Sequence, residues 1–218
     1  MPNLNVEQLL IDNGANLVCG VDEAGVGAWA GPLVACAVIF PTKVYSSSLM
    51  YKLNDSKKLK PHVREELMPE ILDLAHTVSI ISLDSWLIDA MKMRRAHRES
   101  ILRAINTIRE GLLIPESLGI IVDGEILRNK CQQNLGVDAL FIDKADSLCV
   151  SVAAASIVAK VYRDRWMREL DLEYPGYNFA ANKGYGTVEH REALYELGVT
   201  KVHRMSFRPI KDVLKRRI

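Results

Sequence analysis

Residues 18–40, VCGVDEAGVGAWAGPLVACAVIF, constrain the fold more than any other part of this chain. Two apolar runs flank a pair of adjacent carboxylates, Asp22 and Glu23, and a glycine-rich turn. Burying an unpaired carboxylate costs several kcal/mol or more. A chain that ends an apolar strand with two acids therefore needs either a positive partner or a turn that exposes them. The runs LVCGVD and LVACAVIF read as two buried strands, close enough in sequence to form a hairpin.

The pattern continues along the 218 residues. HTVSIISLD (76–84) predicts a third strand, and apolar spacing from Trp86 to Leu112 predicts one long helix. LGIIVDG (118–124) and ALFIDKAD (139–146) predict two further strands. An alanine-rich helix from Ser147 to Leu172 follows, then a shorter one over 188–197 with Thr187 as its N-cap. This order gives an α/β domain on a mixed sheet.

Composition excludes several classes. With 49% hydrophobic residues the chain can fill a core, which argues against disorder. Its four cysteines, Cys19, Cys36, Cys131 and Cys149, lack CxxC spacing, so reduced core thiols are expected in a cytoplasmic protein. The N-terminus has no signal-peptide pattern, and the uncharged stretch 24–42 is broken by Gly25, Gly27, Gly31 and Pro32, so no membrane span is expected. The net charge of +1 hides an asymmetry: residues 201–218 hold seven Lys/Arg against one Asp. A basic tail on an acidic body suits a phosphate-rich partner, or is a solvated helix face.

Three apolar strands end in acid: Asp22–Glu23, Asp123, and Asp143 or Asp146. Ligands gather at strand ends in open α/β sheets. Carboxylates converging there repel one another unless cations intervene, and all-oxygen clusters suit hard ions such as Mg²⁺ or Mn²⁺. Two such ions about 4 Å apart make a clamp for displacement at a phosphodiester. The glycines 25, 27 and 31 also suggest a dinucleotide turn, but two acids before it would repel a pyrophosphate and a strand follows where a helix is required.

GVDEAGVGAWAGP resembles the opening motif of type 2 ribonucleases H (ribonuclease HII), usually GxDEAGRGxxAGP. LNDSKKL, IIVDG, KADSLCVSVAAASIVAKVYRDRWM, the segment 174–194 with its KGYGT, and HRMSFRP are similar to later family blocks and come in the same order. The resemblance implies a ribonuclease H-like fold, a mixed five-stranded sheet flanked by helices with a helical C-terminal extension. It implies a catalytic domain over 1–200 and a basic C-terminal segment over 201–218 packed on or extending it. The implied activity is metal-dependent cleavage of the RNA strand of RNA–DNA hybrids, with nicking 5′ to ribonucleotides embedded in duplex DNA. A monomer is expected. The alternative is a catalytically weak hybrid-binding protein with altered junction recognition.

Carried over by motif, the metal-binding carboxylates are Asp22, Glu23, Asp123 and Asp146, holding Mg²⁺ or Mn²⁺. Gly25, Val26, Gly27, Lys57, Lys58, Lys183, Tyr185 and Arg204 are the implied substrate contacts, with Tyr185 packing on a deoxyribose. Three departures stand out. Val26 replaces the arginine of the family's GRG turn, Glu125 replaces an asparagine, and KMRRAH (92–97) replaces a more neutral motif.

Overall fold

The computed structural model describes residues 1–112, 117–124 and 139–216. Glu125 and Cys131 lie outside the described residues. The chain divides into two compact units. A sheet unit comprises Met1–Ala24, Ala35–Ile81 and Arg98–Val161; a helical unit comprises Gly25–Val34, Ser82–His97 and Tyr162–Ile218.

Five strands, β1 (Leu17–Ala24), β2 (Leu33–Phe40), β3 (Thr77–Leu83), β4 (Leu118–Asp123) and β5 (Ala139–Ile142), form one mixed sheet in the order β3-β2-β1-β4-β5. The expected fold class is correct. β1 and β4 are parallel neighbours, with Val21 beside Val122, and β4 and β5 are parallel, with Asp123 beside Ile142. The strands read as continuous apolar runs because both faces are covered. On one face Cys19, Val21, Ala35, Ala37, Ile39, Ile120 and Val122 bury against Ile101, Ala104, Ile105 and Ile108 of a helix over Met93–Glu110. Those helix positions recur at three- and four-residue steps, the spacing of one helical face.

On the opposite face Val18 and Ile121 meet Cys149 and Val152, at the start of the alanine-rich helix Val150–Glu173. The approach is closest at Gly20, where a Cβ would collide with the backbone of Ser151 and Val152. Small residues on both sides let helix and strand touch.

Glu7, on the helix Asn5–Asp12, is fully buried and accepts from the Ser151 amide and hydroxyl at 3.0 and 2.8 Å. It thus satisfies a donor in the first turn of the alanine-rich helix, where negative charge is favoured. Cys19, Cys36 and Cys149 are free and buried. Among the described residues no helix is long and apolar enough to cross a membrane.

Two elements differ from expectation. The helix predicted over 86–112 is two helices, Ser85–Met91 and Met93–Glu110, broken at Lys92 with φ +66°. The Lys92 carbonyl accepts from the amides of Arg95 and Ala96, starting the second helix, so apolar spacing runs across a break it cannot reveal. The strand predicted over 139–146 stops at Ile142. Lys144 takes φ +57°, and residues Ala145–Ser147 form a single 3₁₀ turn ahead of the helix at Val150.

In the helical unit, Met167, Leu170, Tyr177, Phe179, Leu194, Ile210 and Val213 form a separate core. Ile210 and Val213 belong to the C-terminal helix Arg208–Arg216, on which Arg208, Lys211 and Lys215 are exposed. Thr187 caps the helix Val188–Glu196, accepting from the His190 amide at 3.3 Å.

Candidate active site

The parallel register places the acids. Asp22 shares a face with Val18, and Asp123 shares that same face with Ile121, because side chains alternate along a strand. Val21 pairs with Val122, so Asp22 and Asp123 leave adjacent strands at the same level. The Ala145 amide donates to Asp123 Oδ1 at 2.6 Å, which draws the 3₁₀ turn and Asp146 towards the end of β4.

Asp22 and Asp146 are buried. Burial, then repulsion from Glu23 and Asp123, holds the Asp22 carboxyl well above the usual carboxylate range; hydrogen bonds from Ser156 and the Glu23 amide offset this in part. Burial, then Asp146, pushes Asp123 up to about 6. Asp146 is raised by burial and then by Asp55. Asp22 and Asp123 are perturbed by other acids of the set, and Asp146 by Asp55 of the neighbouring loop. Asp146 is thus close enough to Asp123 to raise its pKa.

The DSKKL loop supplies the nearby cation. Lys57 Nζ lies 3.8 Å from Asp146 Oδ2, with 78% of its side chain exposed. Burial works against its charge, but Asp146, Asp22, Asp55 and Asp123 together hold its pKa above the ordinary lysine value. Lys58 pairs with Asp55 at 3.8 Å instead. Arg64 fixes this loop by donating to the Ser56 and Leu59 carbonyls at 2.7 and 2.6 Å. The Ser56 and Ser156 hydroxyls meet at 2.9 Å, linking the loop to the group that steadies Asp22.

Sequence reading missed three participants here: Asp55, within hydrogen-bonding reach of Asp146, and the serines 56 and 156. Asp55 stands beside the two lysines already singled out, but a loop acid next to lysines reads as a surface pair. Among the described residues no group of three or more His, Cys, Asp or Glu side chains is arranged so that it could hold a metal ion as it stands. The donor chemistry nonetheless fits one. All the contributors are oxygen, and their mutual repulsion is the kind that a hard divalent ion relieves.

The helical unit holds the other singled-out residues. Gly25 has φ +99°, and a Cβ there would collide with the Arg163 side chain and the Pro32 carbonyl, so only glycine fits. Gly27 is exposed, and a Cβ on it would stand 3.9 Å from Cε1 of Tyr185. Tyr185 is 38% exposed with the Arg163 guanidinium 5.4 Å from its ring centre. Lys183 takes φ +53° and directs Nζ to the Ala180 carbonyl, while its own carbonyl accepts from Arg163 at 2.9 Å.

Arg204 requires a correction. Expected at the phosphate backbone, it is fully buried and donates to the carbonyls of Val26, Gly31 and Pro32 at 3.0 to 3.1 Å. It shapes the turn from within. Arg163, which sequence reading passed over inside a helix, does the same through Ala30 and Pro32. Burial, then Arg163, lowers Arg204 to about 9, so it remains charged at neutral pH.

Comparison with known proteins identifies the family. The ribonuclease HII family matches residues 19–210. A ribonuclease HII of Geobacillus kaustophilus (strain HTA426) is 40% identical over 212 residues, covering 97% of this chain and 76% of that protein. One from Geotalea uraniireducens (strain Rf4) is also 40% identical, covering 97% and 92%. The crystal structure of ribonuclease H2 from Pyrococcus horikoshii OT3 superimposes with a TM-score of 0.74 at 26% identity, covering 92% of this chain and 98% of that one. With the acids carried on adjacent parallel strands and the family motif spanning them, this chain belongs to the ribonuclease HII family and is a ribonuclease H, a hydrolytic enzyme.

Proposed function

We propose that this ribonuclease H cuts the RNA strand of RNA–DNA hybrids, and nicks 5′ to single ribonucleotides in duplex DNA, using Asp22, Glu23, Asp123 and Asp146 with Mg²⁺ or Mn²⁺. The observation that carries the reading is the shared face and level of Asp22 and Asp123, with Asp146 following, all with raised carboxyl pKa values. Buried acids that destabilise one another are retained for chemistry, because a structural role would be served better by one apolar residue. Asp22, Glu23, Asp123 and Asp146 would hold the divalent ion, which would supply positive charge for the scissile phosphate, for activation of a water and for the leaving 3′ oxygen.

The protein's own groups do the positioning. Ser156 and the Glu23 amide hold Asp22, and the Ala145 amide holds Asp123, so each carboxylate presents a fixed oxygen. Lys57, exposed beside Asp146, offers an ammonium to a phosphate. Lys58 and Lys183 add positive charge for the nucleic-acid backbone. In the helical unit, the Gly25–Val26–Gly27 turn lets backbone groups approach the ribose, whose 2′-hydroxyl distinguishes RNA from DNA. Tyr185 offers a flat ring to the neighbouring sugar.

The test is cleavage of a duplex carrying one ribonucleotide beside a continuous RNA–DNA hybrid, each in Mg²⁺, in Mn²⁺ and in chelator. Cutting of both substrates with either metal and neither in chelator is expected. Cutting of the hybrid alone would remove the single-ribonucleotide reading, and activity in chelator would remove the metal.

A further inference from the structure

Two buried rings of the helical unit, His190 and His203, form a hydrogen-bonded chain whose direction their partners dictate. The Thr200 amide, which can only donate, points at Nδ1 of His203 at 3.0 Å, so that nitrogen bears no proton and accepts from the Thr200 hydroxyl at 2.9 Å as well. A neutral His203 then carries its proton on Nε2, which stands 3.1 Å from Nε2 of His190. His190 must accept there, so its proton lies on Nδ1, which donates to the Tyr185 carbonyl at 2.9 Å. Every atom has one consistent role. An extra proton on either ring would set two donors against each other. The rings of Tyr177 and Phe179 pack against both histidines, and Trp29 against His190. Burial lowers the pKa of each histidine, and His190 helps bring His203 down to about 4.

The next residue, Arg204, reaches in another direction. Its guanidinium donates to Val26, Gly31 and Pro32, and its amide donates to the Trp29 carbonyl at 2.8 Å. The Asp89 carboxylate fixes the segment by accepting from the amides of Met205 and Ser206 at 2.6 and 2.8 Å. Consecutive residues thus hold two loops distant in sequence, and those loops meet where Gly27 faces the Tyr185 ring.

We propose that His203 and Arg204 form a two-armed brace that sets Tyr185 against the Gly25–Val26–Gly27 turn, with one arm running through His190 to the Tyr185 carbonyl. Both histidines are positioning residues for reading the ribose. The brace rests on the recognition role proposed above for Tyr185 and the turn.

The experiment is a double-mutant cycle read as kcat and KM on a duplex with one embedded ribonucleotide. His190→Leu removes both hydrogen bonds and should lower kcat/KM about tenfold, mainly through KM. His190→Gln keeps an acceptor towards His203 and a donor towards Tyr185, and should recover most of the loss. In a Tyr185→Ala background, His190→Leu should change kcat/KM by less than about twofold, because the two substitutions disable one device. Additive losses, or a folded His190→Gln enzyme as impaired as His190→Leu, would overturn the brace. Full activity of Tyr185→Ala alone would overturn the recognition reading beneath it. Should His190→Leu fail to fold, ¹⁵N-histidine spectra of the unaltered protein decide: Nε2–H on His203 and Nδ1–H on His190 at pH 7 support the brace, and any other tautomer pair contradicts it.

Discussion

Both units bury ionisable side chains, but they treat the charge in opposite ways. In the sheet unit, Asp22, Asp123 and Asp146 stand where burial and repulsion from nearby acids, Asp55 in the case of Asp146, make each carboxylate unfavourable. In the helical unit, Arg204 and Arg163 are as deeply buried, yet they donate to main-chain carbonyls. His190 and His203 escape charge by remaining neutral. Among their side-chain donors only Nη1 of Arg163 lacks a partner among the described residues. The contrast separates two uses of polar burial. Satisfied groups fix a shape, and groups left in conflict cost stability unless a bound cation offsets their repulsion.

The contrast breaks most visibly if the acids are altered. Asp22→Asn should reduce cleavage roughly a hundredfold or more, as loss of a central electrostatic group does. The same change should raise the thermal midpoint of the metal-free protein, since it removes a buried repulsive charge. A variant both inactive and destabilised would place Asp22 with the structural charges.

Arg204→Met should act with the opposite sign. It leaves buried carbonyls without a donor, at a cost of about 2–4 kcal/mol in urea unfolding at pH 7. An unchanged urea midpoint would mean that the turn does not need its internal brace.

Acid pH sharpens the comparison further. The folded-state pKa of His203 is depressed, so its stabilising contribution is present above about pH 6.5 and is lost as pH falls towards about 4. By pH 5 the loss is about 2 kcal/mol. Asp123 is raised to about 6, so its contribution runs the other way and is lost as pH rises through that value. Urea midpoints of the metal-free protein between pH 7 and 5 should therefore fall more steeply in Asp123→Asn and less steeply in His203→Asn.

Most of the sheet was legible in the sequence. Long apolar strands such as Leu33–Phe40 announce themselves, and acids in the last three residues of β1 and at the end of β4 are rare enough to notice. The helix break at Lys92 and the end of β5 at Ile142 were not legible. Both depend on non-glycine residues in left-handed or positive-φ backbone, which tertiary contacts impose. Arg163 and Arg204 were illegible for another reason: arginine in a charged stretch reads as solvated surface, and only the packed structure shows carbonyls gathered around it. Asp22, Glu23 and Asp123 could be singled out from pattern alone, whereas choosing Asp146 over Asp143 required the family motif.

The smallest expected effect concerns Val26, half-buried in the turn that Arg204 supports. Val26→Arg would add a charge to a turn that the buried Arg163 and Arg204 support from within. A gain of about tenfold in kcat/KM on single-ribonucleotide duplexes is expected, the scale of one charged hydrogen bond. Reduced activity would show that the turn is not used to approach the phosphate.

The central claim is that the conflicting acids, acting together with a divalent ion, perform the cleavage. Its most direct test compares the unaltered enzyme with Asp123→Asn in single-turnover cleavage of a duplex bearing one ribonucleotide, across a Mg²⁺ titration, with hybrid binding measured in parallel. The account predicts no product from Asp123→Asn at any Mg²⁺ concentration, with hybrid affinity changed by less than about threefold because local repulsion towards phosphate falls. Equal turnover by Asp123→Asn at saturating Mg²⁺ would contradict it.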